Sequence, residues 1–305
     1  MSVPLYIGID AGGTKTAICA STSEEAIEFS LDGPGTNIRR DGLSVSLSTL
    51  IDLIHALPQP SEPTSTYLCA GIAGAGNKEI QAALKQKLAA HLEVPTSNIQ
   101  VRTDASVAYY AAHKDRSGIL VITGTGSIIW ARTKTGHMVR AGGWGALLGD
   151  EGGGFQLGLS ALRALSHEID GGPSTLLSSI LCDHYGLCTP SDILDFTYQR
   201  KSHISTLAPF VIEAAKQNDQ IALQIIDTQI SALAQSLKFL LLSHPHVSPN
   251  IVYMGGLTND PFYVDALKQG LSDVYPDVQQ FTKLNHPPVE AAFHLARRMN
   301  NQGEV

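Results

Sequence analysis

This chain of 305 residues is poor in cysteine, with four, at positions 19, 69, 182 and 188, and none in a Cys-x-x-Cys pair. Cys19 and Cys69 stand inside apolar runs and read as buried thiols. Cys182, His184 and Cys188 are close enough in sequence to hold a metal, but their spacing fits no common zinc pattern, so the incidental reading stands ahead. Reduced thiols in a cytoplasmic protein are the expectation. The chain has no basic run and no arginine–aromatic interleaving, and a formal net charge of −7, which argues against nonspecific nucleic-acid binding. The opening MSVPLYIGID lacks the charged n-region and cleavage pattern of a secretory signal. No apolar run reaches the length of a membrane span; the nearest, Leu237–Leu242, contains Lys238 and ends at His244-Pro245. A P-loop is missing as well, because Lys15 follows Thr14 directly and what comes next looks like a strand. The dinucleotide fingerprint is missing because Gly74-Ala75-Gly76 and Gly124-Thr125-Gly126 both lack the third glycine.

What is present is an ordinary globular composition, 43% hydrophobic and 16% charged, long enough for two domains with sizeable cores. Leu5–Ile9 is an apolar, β-branched run that ends in Asp10, followed by Gly12-Gly13-Thr14 and a second apolar run at Ala17-Ile18. A glycine turn of this kind offers a row of N–H groups to an anion such as a phosphate, and a carboxylate at the strand end suits a hydrated cation. An ordinary β-hairpin would also explain the pattern.

The pattern then predicts strands near 5–9, 16–21 and 25–31, and a turn-rich loop at Asp32–Asn37. A helix runs through Leu47, Leu50, Ile51 and Ile54, which Asn37 would cap. Pro58–Thr64 reads as a surface linker. Tyr67–Gly74 is a buried strand whose glycines, Gly71 among them, invite close approach; a helix over Lys78–His91 follows it. Ile99–Asp104 is a short strand ending in a carboxylate, before a helix of small residues at Ala105–Ala112. The order βββαβαβα is a mixed α/β domain.

At Gly118–Thr123 the pattern restarts: an apolar strand, the turn Gly124-Thr125-Gly126-Ser127, and return strands at Ile128–Ala131 and His137–Arg140. This repeats the topology of the first domain without its sequence, and two such glycine hairpins would clamp a polyphosphate. The runs Ala141-Gly142-Gly143-Trp144-Gly145 and Gly149-Asp150-Glu151-Gly152-Gly153-Gly154 are richer in glycine than packing alone demands. Helices are expected at about 155–167, 174–184, 191–199, 206–218 and 220–242. Ile251–Gly256 is a strand ending in paired glycines, followed by a helix at 262–271, a strand near 278–282 and a last helix from Pro287 with Ala291, Ala292 and Ala296 on one face.

Assembled, these segments resemble the sugar-kinase, Hsp70 and actin superfamily, and within it the N-acetylglucosamine kinase branch of the BadF/BadG/BcrA/BcrD ATPase group. The motifs that carry the likeness are Gly35-Thr36-Asn37, Thr103-Asp104-Ala105, Gly124-Thr125-Gly126-Ser127, Gly142-Gly143-Trp144-Gly145 and Gly149-Asp150-Glu151-Gly152. No residue-level match is made over about 170–246. The resemblance implies an α/β fold of two ribonuclease-H-like domains, 1–115 and 116–305, closing over a cleft. The second would carry a helical insertion at about 155–245 and a last helix, 288–300, packing back toward the first. It implies phosphoryl transfer from ATP with Mg²⁺ to the 6-hydroxyl of N-acetylglucosamine in a cytoplasmic enzyme with no nucleic-acid or membrane partner, and leaves room for a homodimer.

By residue, the resemblance implies Asp104 as the base that takes the hydroxyl proton, with helix capping as its plainer role. Asp10, Gly12, Gly13, Thr14, Lys15, Thr125, Gly126, Ser127, Gly255 and Gly256 would hold ATP, with Asp10 organising Mg²⁺ through water. Asn37, Gly71, Gly143, Trp144, Gly145 and Asp150 would join Asp104 around the sugar. For Lys15 a solvated lysine, and for Trp144 core packing, are equal readings, and the role of Glu151 is open. Ile128 replaces a residue that is polar in some relatives, and Ala141 and Ala146 would leave space for a bulkier substituent. Glucosamine or N-acetylmuramic acid are alternative substrates. An ATP-driven activator of an iron–sulfur enzyme, or a sugar-sensing regulator, are alternatives of another class, weakened by the absence of cysteine from the glycine-rich segments and of a DNA-binding extension.

Overall fold

The computed structural model describes residues 3–23, 26–58, 65–199 and 201–301. Two compact units are formed: unit 1 comprises Met1–Lys114 and Asn285–Val305, unit 2 Asp115–Leu284.

Unit 1 is built on a five-stranded sheet in the order β3-β2-β1-β4-β5. Strand β1 (Leu5–Ala11) pairs antiparallel with β2 (Lys15–Ser21), and β2 with β3 (Phe29–Pro34). On its other side β1 runs parallel to β4 (Thr66–Ile72), and β4 to β5 (Ile99–Thr103). Burial on both faces explains why β1 and β4 read as continuous apolar runs rather than alternating ones. One face carries α1 (Ile38–Ala56) and α2 (Lys78–His91), over a core of Ile7, Ile9, Ile18, Leu50, Ile54, Leu68, Leu84 and Leu88. Helix α1 breaks at Gly42, whose φ of 78° is non-helical. The other face carries α3 (Asp104–His113) and α10 (Pro288–Asn301). Helix α10 presses so closely on β1 that a Cβ at Gly8 would lie 2.6 Å from the Val289 oxygen and 2.8 Å from the Phe293 Cα.

Unit 2 repeats the sheet: β8-β7-β6-β9-β10, with β6 (Gly118–Thr123), β7 (Ser127–Arg132) and β8 (Met138–Gly142) antiparallel, then β9 (Asn250–Met254) and β10 (Gln280–Lys283) parallel to β6. Between β8 and β9 stand α4 (Gly154–Ile169), α5 (Leu176–Tyr185), α6 (Pro190–Gln199), α7 (Ala208–Lys216) and α8 (Gln220–Ser243); α9 (Pro261–Val274) joins β9 to β10. Helix α8 is long and apolar enough, by length and composition, to cross a bilayer, which the apolar runs alone do not reveal. One face of it, through Ile226, Ile230, Leu233 and Leu237, is core to this unit.

Three expectations are corrected. The third strand begins at Phe29, not near 25, because its register is set by pairing with β2. A 3₁₀ turn at Lys201–Leu207 precedes α7, so the helix starts two residues later than its periodicity suggests. Cys182 and Cys188 form a disulfide rather than standing as free thiols or metal ligands. Gly186, in left-handed conformation after α5, reverses the chain and brings the two Cα atoms to 4.7 Å, within disulfide range. Cys19 and Cys69 are buried thiols, as expected, and no cluster of metal-ligating side chains is present among the described residues. Of the expected linker, residues 59–64 lie outside the described residues.

Candidate active site

In unit 1 the chain leaves β1 at Ala11 and re-enters the sheet at Lys15, and the Gly12 N–H closes the turn on the Lys15 oxygen at 2.9 Å. Space around the turn is open: a Cβ at Gly13 would meet nothing within 4 Å. Behind it runs the strap Gly35-Thr36-Asn37. The Thr36 N–H donates to Gly12 O at 2.9 Å, and a Cβ at Gly35 would lie 2.6 Å from the Thr14 and Lys15 nitrogens, so only glycine fits. Asn37 caps α1, its Oδ1 accepting from the Arg39 N–H at 3.0 Å. Its Nδ2 makes no hydrogen bond among the described residues. Gly74, at φ 80°, lets the end of the Tyr67 strand pass this cap.

Two carboxylates stand in this region, and the charge of one acts on the other. Asp10 lies one residue from the end of β1, level with Gly71 on β4. Asp104 is the first residue of α3. Capping duty at that helix falls to Thr103, whose Oγ1 accepts from the Ser106 N–H at 3.1 Å. The Asp104 carboxylate is not the acceptor for that N–H, and it meets instead the backbone N–H groups of Ala105 and of Asp104 itself. Gly71 has a packing reason: a Cβ there would sit 2.7 Å from the Val107 side chain and 3.4 Å from the Asp104 Cα, so its absence lets α3 come down on β4. Burial, then the negative charge of Asp104, push Asp10 up to about 7, with Lys15 opposing. Burial also raises Asp104, against backbone N–H groups that hold it down. Lys15 itself points across the hairpin to Asp32 at 2.7 Å, both side chains well exposed.

Unit 2 holds its glycine turn differently. The Gly124 N–H donates to Gly126 O at 2.9 Å, and the first N–H groups of α4 close on the turn: Gly154 N to Gly124 O and Phe155 N to Thr125 O, both 2.8 Å. A Cβ at Gly153 would lie 2.8 Å from the Gly126 Cα and 2.9 Å from the Asp150 oxygen. Gly255, at φ 117°, backs the turn from the end of β9, where a Cβ would meet the Gly124 nitrogen at 3.0 Å. Ser127 joins the same cluster through its side chain, Oγ donating to Glu151 O at 2.6 Å.

The loop from β8 to α4 is wound by left-handed residues: Gly142, Gly143, Gly145 and Gly152, and also Asp150 at φ 64°. A non-glycine residue in that region is uncommon and marks a constrained site. The constraint is visible. The Gly153 N–H bonds Asp150 O at 2.9 Å, the Gly145 N–H reaches Asp150 Oδ1 at 3.3 Å, and Gly152 is gripped from both ends. Its N–H donates to Gln229 Oε1 at 3.3 Å, and its oxygen accepts from the buried Tyr263 hydroxyl at 2.6 Å. Burial raises the Asp150 carboxyl above its ordinary range. Core packing does not explain Trp144, which is 65% exposed and stacked under Arg140, whose guanidinium carbon lies 4.6 Å from the ring centre. Leu147 and Leu148 beside it are 91% and 79% exposed.

Unit 1 therefore gathers Asp10, Gly12, Gly13, Thr14, Asn37, Gly71 and Asp104 at the ends of β1, β4 and β5, and unit 2 gathers Thr125, Gly126, Ser127, Asp150 and Gly255 around one turn. Lys15 is directed away. Sequence reading missed Arg40, which bonds Gly13 O at 2.8 Å, and the bracket of Tyr263 and Gln229. These partners are 27, 111 and 77 residues apart, so no local pattern announces them.

A family model described as the BadF/BadG/BcrA/BcrD ATPase family matches residues 7–293. An N-acetylmuramic acid/N-acetylglucosamine kinase of Clostridium acetobutylicum is 29% identical, over 93% of this chain and 92% of its own. An N-acetyl-D-glucosamine kinase of Dictyostelium discoideum is 28% identical, over 96% of this chain and 98% of its own. Among solved structures, a protein from Chromobacterium violaceum superposes with a TM-score of 0.78 at 22% identity, covering 97% of this chain and all of that one, which shows the two-sheet fold.

Proposed function

Since the chain belongs to the BadF/BadG/BcrA/BcrD ATPase family, we propose that it is an ATP-dependent amino-sugar kinase that phosphorylates the 6-hydroxyl of N-acetylglucosamine. The observation that carries this reading is the state of Asp104: half-buried, raised in pKa by that burial, and at the first position of α3, where Thr103 and not Asp104 serves as the cap. A carboxylate with a raised pKa is a better base toward a sugar hydroxyl. In the proposed reaction Asp104 takes the proton of the 6-hydroxyl while that oxygen bonds to the γ-phosphorus of ATP and the bond to the β-phosphate oxygen breaks. ATP supplies the phosphoryl group; the protein supplies position and charge.

Asp10 fits a hydrated Mg²⁺. Its carboxylate is held uncomfortably by burial and by Asp104, and a divalent cation would relieve both. Gly12, Gly13 and Thr14, and in unit 2 Thr125, Gly126 and Ser127, would offer N–H and hydroxyl groups to the phosphates, with Gly255 and Gly256 beside the adenosine. Asn37 through its Nδ2, Asp150, and the Gly143-Trp144-Gly145 backbone would bind sugar hydroxyls and the acetamido group. The exposed Trp144 ring supports a ligand-facing role over a packing one. The relatives named for N-acetylglucosamine favour that substrate, and N-acetylmuramic acid is the second reading, carried by the Clostridium relative.

The test is ATP consumption with Mg²⁺ and N-acetylglucosamine, glucosamine, N-acetylmuramic acid, N-acetylmannosamine, glucose or no sugar, with Asp104→Asn alongside. Expected is turnover that needs sugar, is highest with N-acetylglucosamine, and falls about 10²–10⁴-fold in the variant. Equal turnover without sugar would overturn the kinase, and unchanged turnover in Asp104→Asn would remove the base.

A further inference from the structure

Arg40 and Asp41 are spent on one arrangement. The Arg40 guanidinium meets Asp41 side-on, Nε to Oδ1 at 2.6 Å and Nη2 to Oδ2 at 2.8 Å. Its Nη1 donates to Gly13 O at 2.8 Å, and Nη2 also reaches toward Gly35 O at 3.5 Å. The other end of the pair grips the strap, because Asp41 Oδ2 accepts from the Asn37 N–H at 2.8 Å and the Asp41 N–H bonds Asn37 O at 2.8 Å. Arginine and the Asn37 N–H together hold the Asp41 carboxyl well below the usual range, at about 2. One ion pair thus fastens the glycine turn on one side and the backbone of Asn37 on the other.

We propose that Arg40 and Asp41 form a clamp that sets the first glycine turn in register with Asn37, so that phosphate binding and sugar binding depend on one pair of positioning residues. The physical case rests on what else could hold the turn. Gly13 is open on its outer side, and Lys15, the nearest cation in sequence, is committed to Asp32. Among the described contacts the turn is otherwise held by the Gly12–Lys15 closure and by Thr36 N–H on Gly12 O. Neither restrains the carbonyl of Gly13. A planar guanidinium is suited to the task, since it serves both carboxylate oxygens and still has an N–H for the turn. A lysine offers a point charge in place of that fork. The clamp deepens the kinase reading and rests on it for its kinetic consequences.

The experiment uses the full chain as wild type, Arg40→Ala, Arg40→Lys, Asp41→Asn and the double variant Arg40→Ala/Asp41→Asn. Steady-state kinetics give KM for ATP and for N-acetylglucosamine separately, and hydrogen exchange gives protection at Gly12, Thr36 and Asn37. Expected are a rise of about 5–30-fold in both KM values, kcat within threefold, no rescue by lysine, and a double variant no worse than the worse single one. Exchange at Gly12, whose N–H closes the turn, and at Asn37 should quicken at least tenfold in each single variant, with the melting temperature nearly unchanged. Unchanged KM for either substrate, restoration by lysine, or effects that multiply in the double variant would overturn the clamp. If wild type shows no sugar-dependent turnover, the kinase reading fails by itself, and the exchange data still decide: unaltered protection at both Gly12 and Asn37 refutes the clamp, and joint loss supports it.

Discussion

The two glycine turns occupy the same place in two sheets of the same order, and each is backed by a close glycine, Gly35 in unit 1 and Gly153 and Gly255 in unit 2, yet their outer sides are fastened differently. The turn of unit 1 is open on its outer face and fastened by a side chain, Arg40, reaching its carbonyl. The turn of unit 2 is closed by backbone: two helix N–H groups end on it, and the missing side chains of Gly126, Gly153 and Gly255 are what allow the segments to meet. A turn held by side chains is adjustable by substitution and by ligand. One held by backbone against backbone is fixed by shape, and tolerates glycine only. The same topology therefore does not imply the same tolerance.

Gly153→Ala should break the contrast most sharply. Its new methyl would sit inside the van der Waals radius of backbone atoms that cannot swing away, and unit 2 should lose about 3 kcal/mol, read in calorimetry as a fall of roughly 6–12 °C. Asp10→Asn comes next, with the opposite sign. The raised pKa of Asp10 means the folded chain holds its proton more tightly than the unfolded chain does, so this group favours folding below about pH 4 and loses that contribution as pH rises toward about 7. At pH 8 the asparagine variant should be more stable than wild type, on the order of 2 kcal/mol, and show no activity. At pH 4 thermal melts of the two should converge, and Mg²⁺ should raise the wild-type melting temperature at pH 8 but not at pH 4.

Tyr263→Phe removes the hydroxyl that holds Gly152 O in a buried place, and should cost about 1–3 kcal/mol. With the αL residue Asp150 two positions away, KM for sugar should rise more than kcat falls; equal loss in both would make the tyrosine purely structural. Gly13→Ala is the smallest effect on stability, within about 0.5 kcal/mol. Calorimetry should show the fold intact while the KM for ATP rises several-fold, since the added methyl stands where a phosphate would approach. An equal loss of stability from Gly13→Ala and Gly153→Ala would erase the distinction between the turns.

Much of this is legible in the sequence itself. Strands buried on both faces advertise themselves as unbroken apolar runs, and the paired glycines mark both turns, so the repeated sheet and the positions of Asp10 and Asp104 could be placed from the sequence. The small residues Ala291, Ala292 and Ala296 likewise announced a helix packed at close range. What stayed hidden depends on contacts distant in sequence. Nothing near Lys15 says that it will prefer Asp32 to a ligand, because the register of β2 on β3 decides that. Asp104 and its neighbour Thr103 are both good caps, and only the helix's first hydrogen bonds reveal which one serves. The left-handed turn at Asp150 is invisible in a stretch where glycines on either side could have taken the strain. The Cys182–Cys188 bond needs the reversal at Gly186, which spacing alone did not convey.

The packing of α10 over Gly8 has a consequence for how the molecule comes into being. Val289 and Phe293 lie against a strand made some 280 residues earlier, with all of unit 2 translated in between. Unit 1 begins to emerge from the ribosome first and is completed last. Until α10 arrives, one face of β1, including Tyr6 and the Cys19 neighbourhood, has no cover from it. Contacts so remote in sequence form slowly and leave apolar strand exposed meanwhile. The unit whose residues precede and follow the other is thus the one whose folding must wait, and a chain stopped before residue 288 would present a sheet without its lid, a substrate for chaperones and proteases rather than an enzyme with a shortened tail.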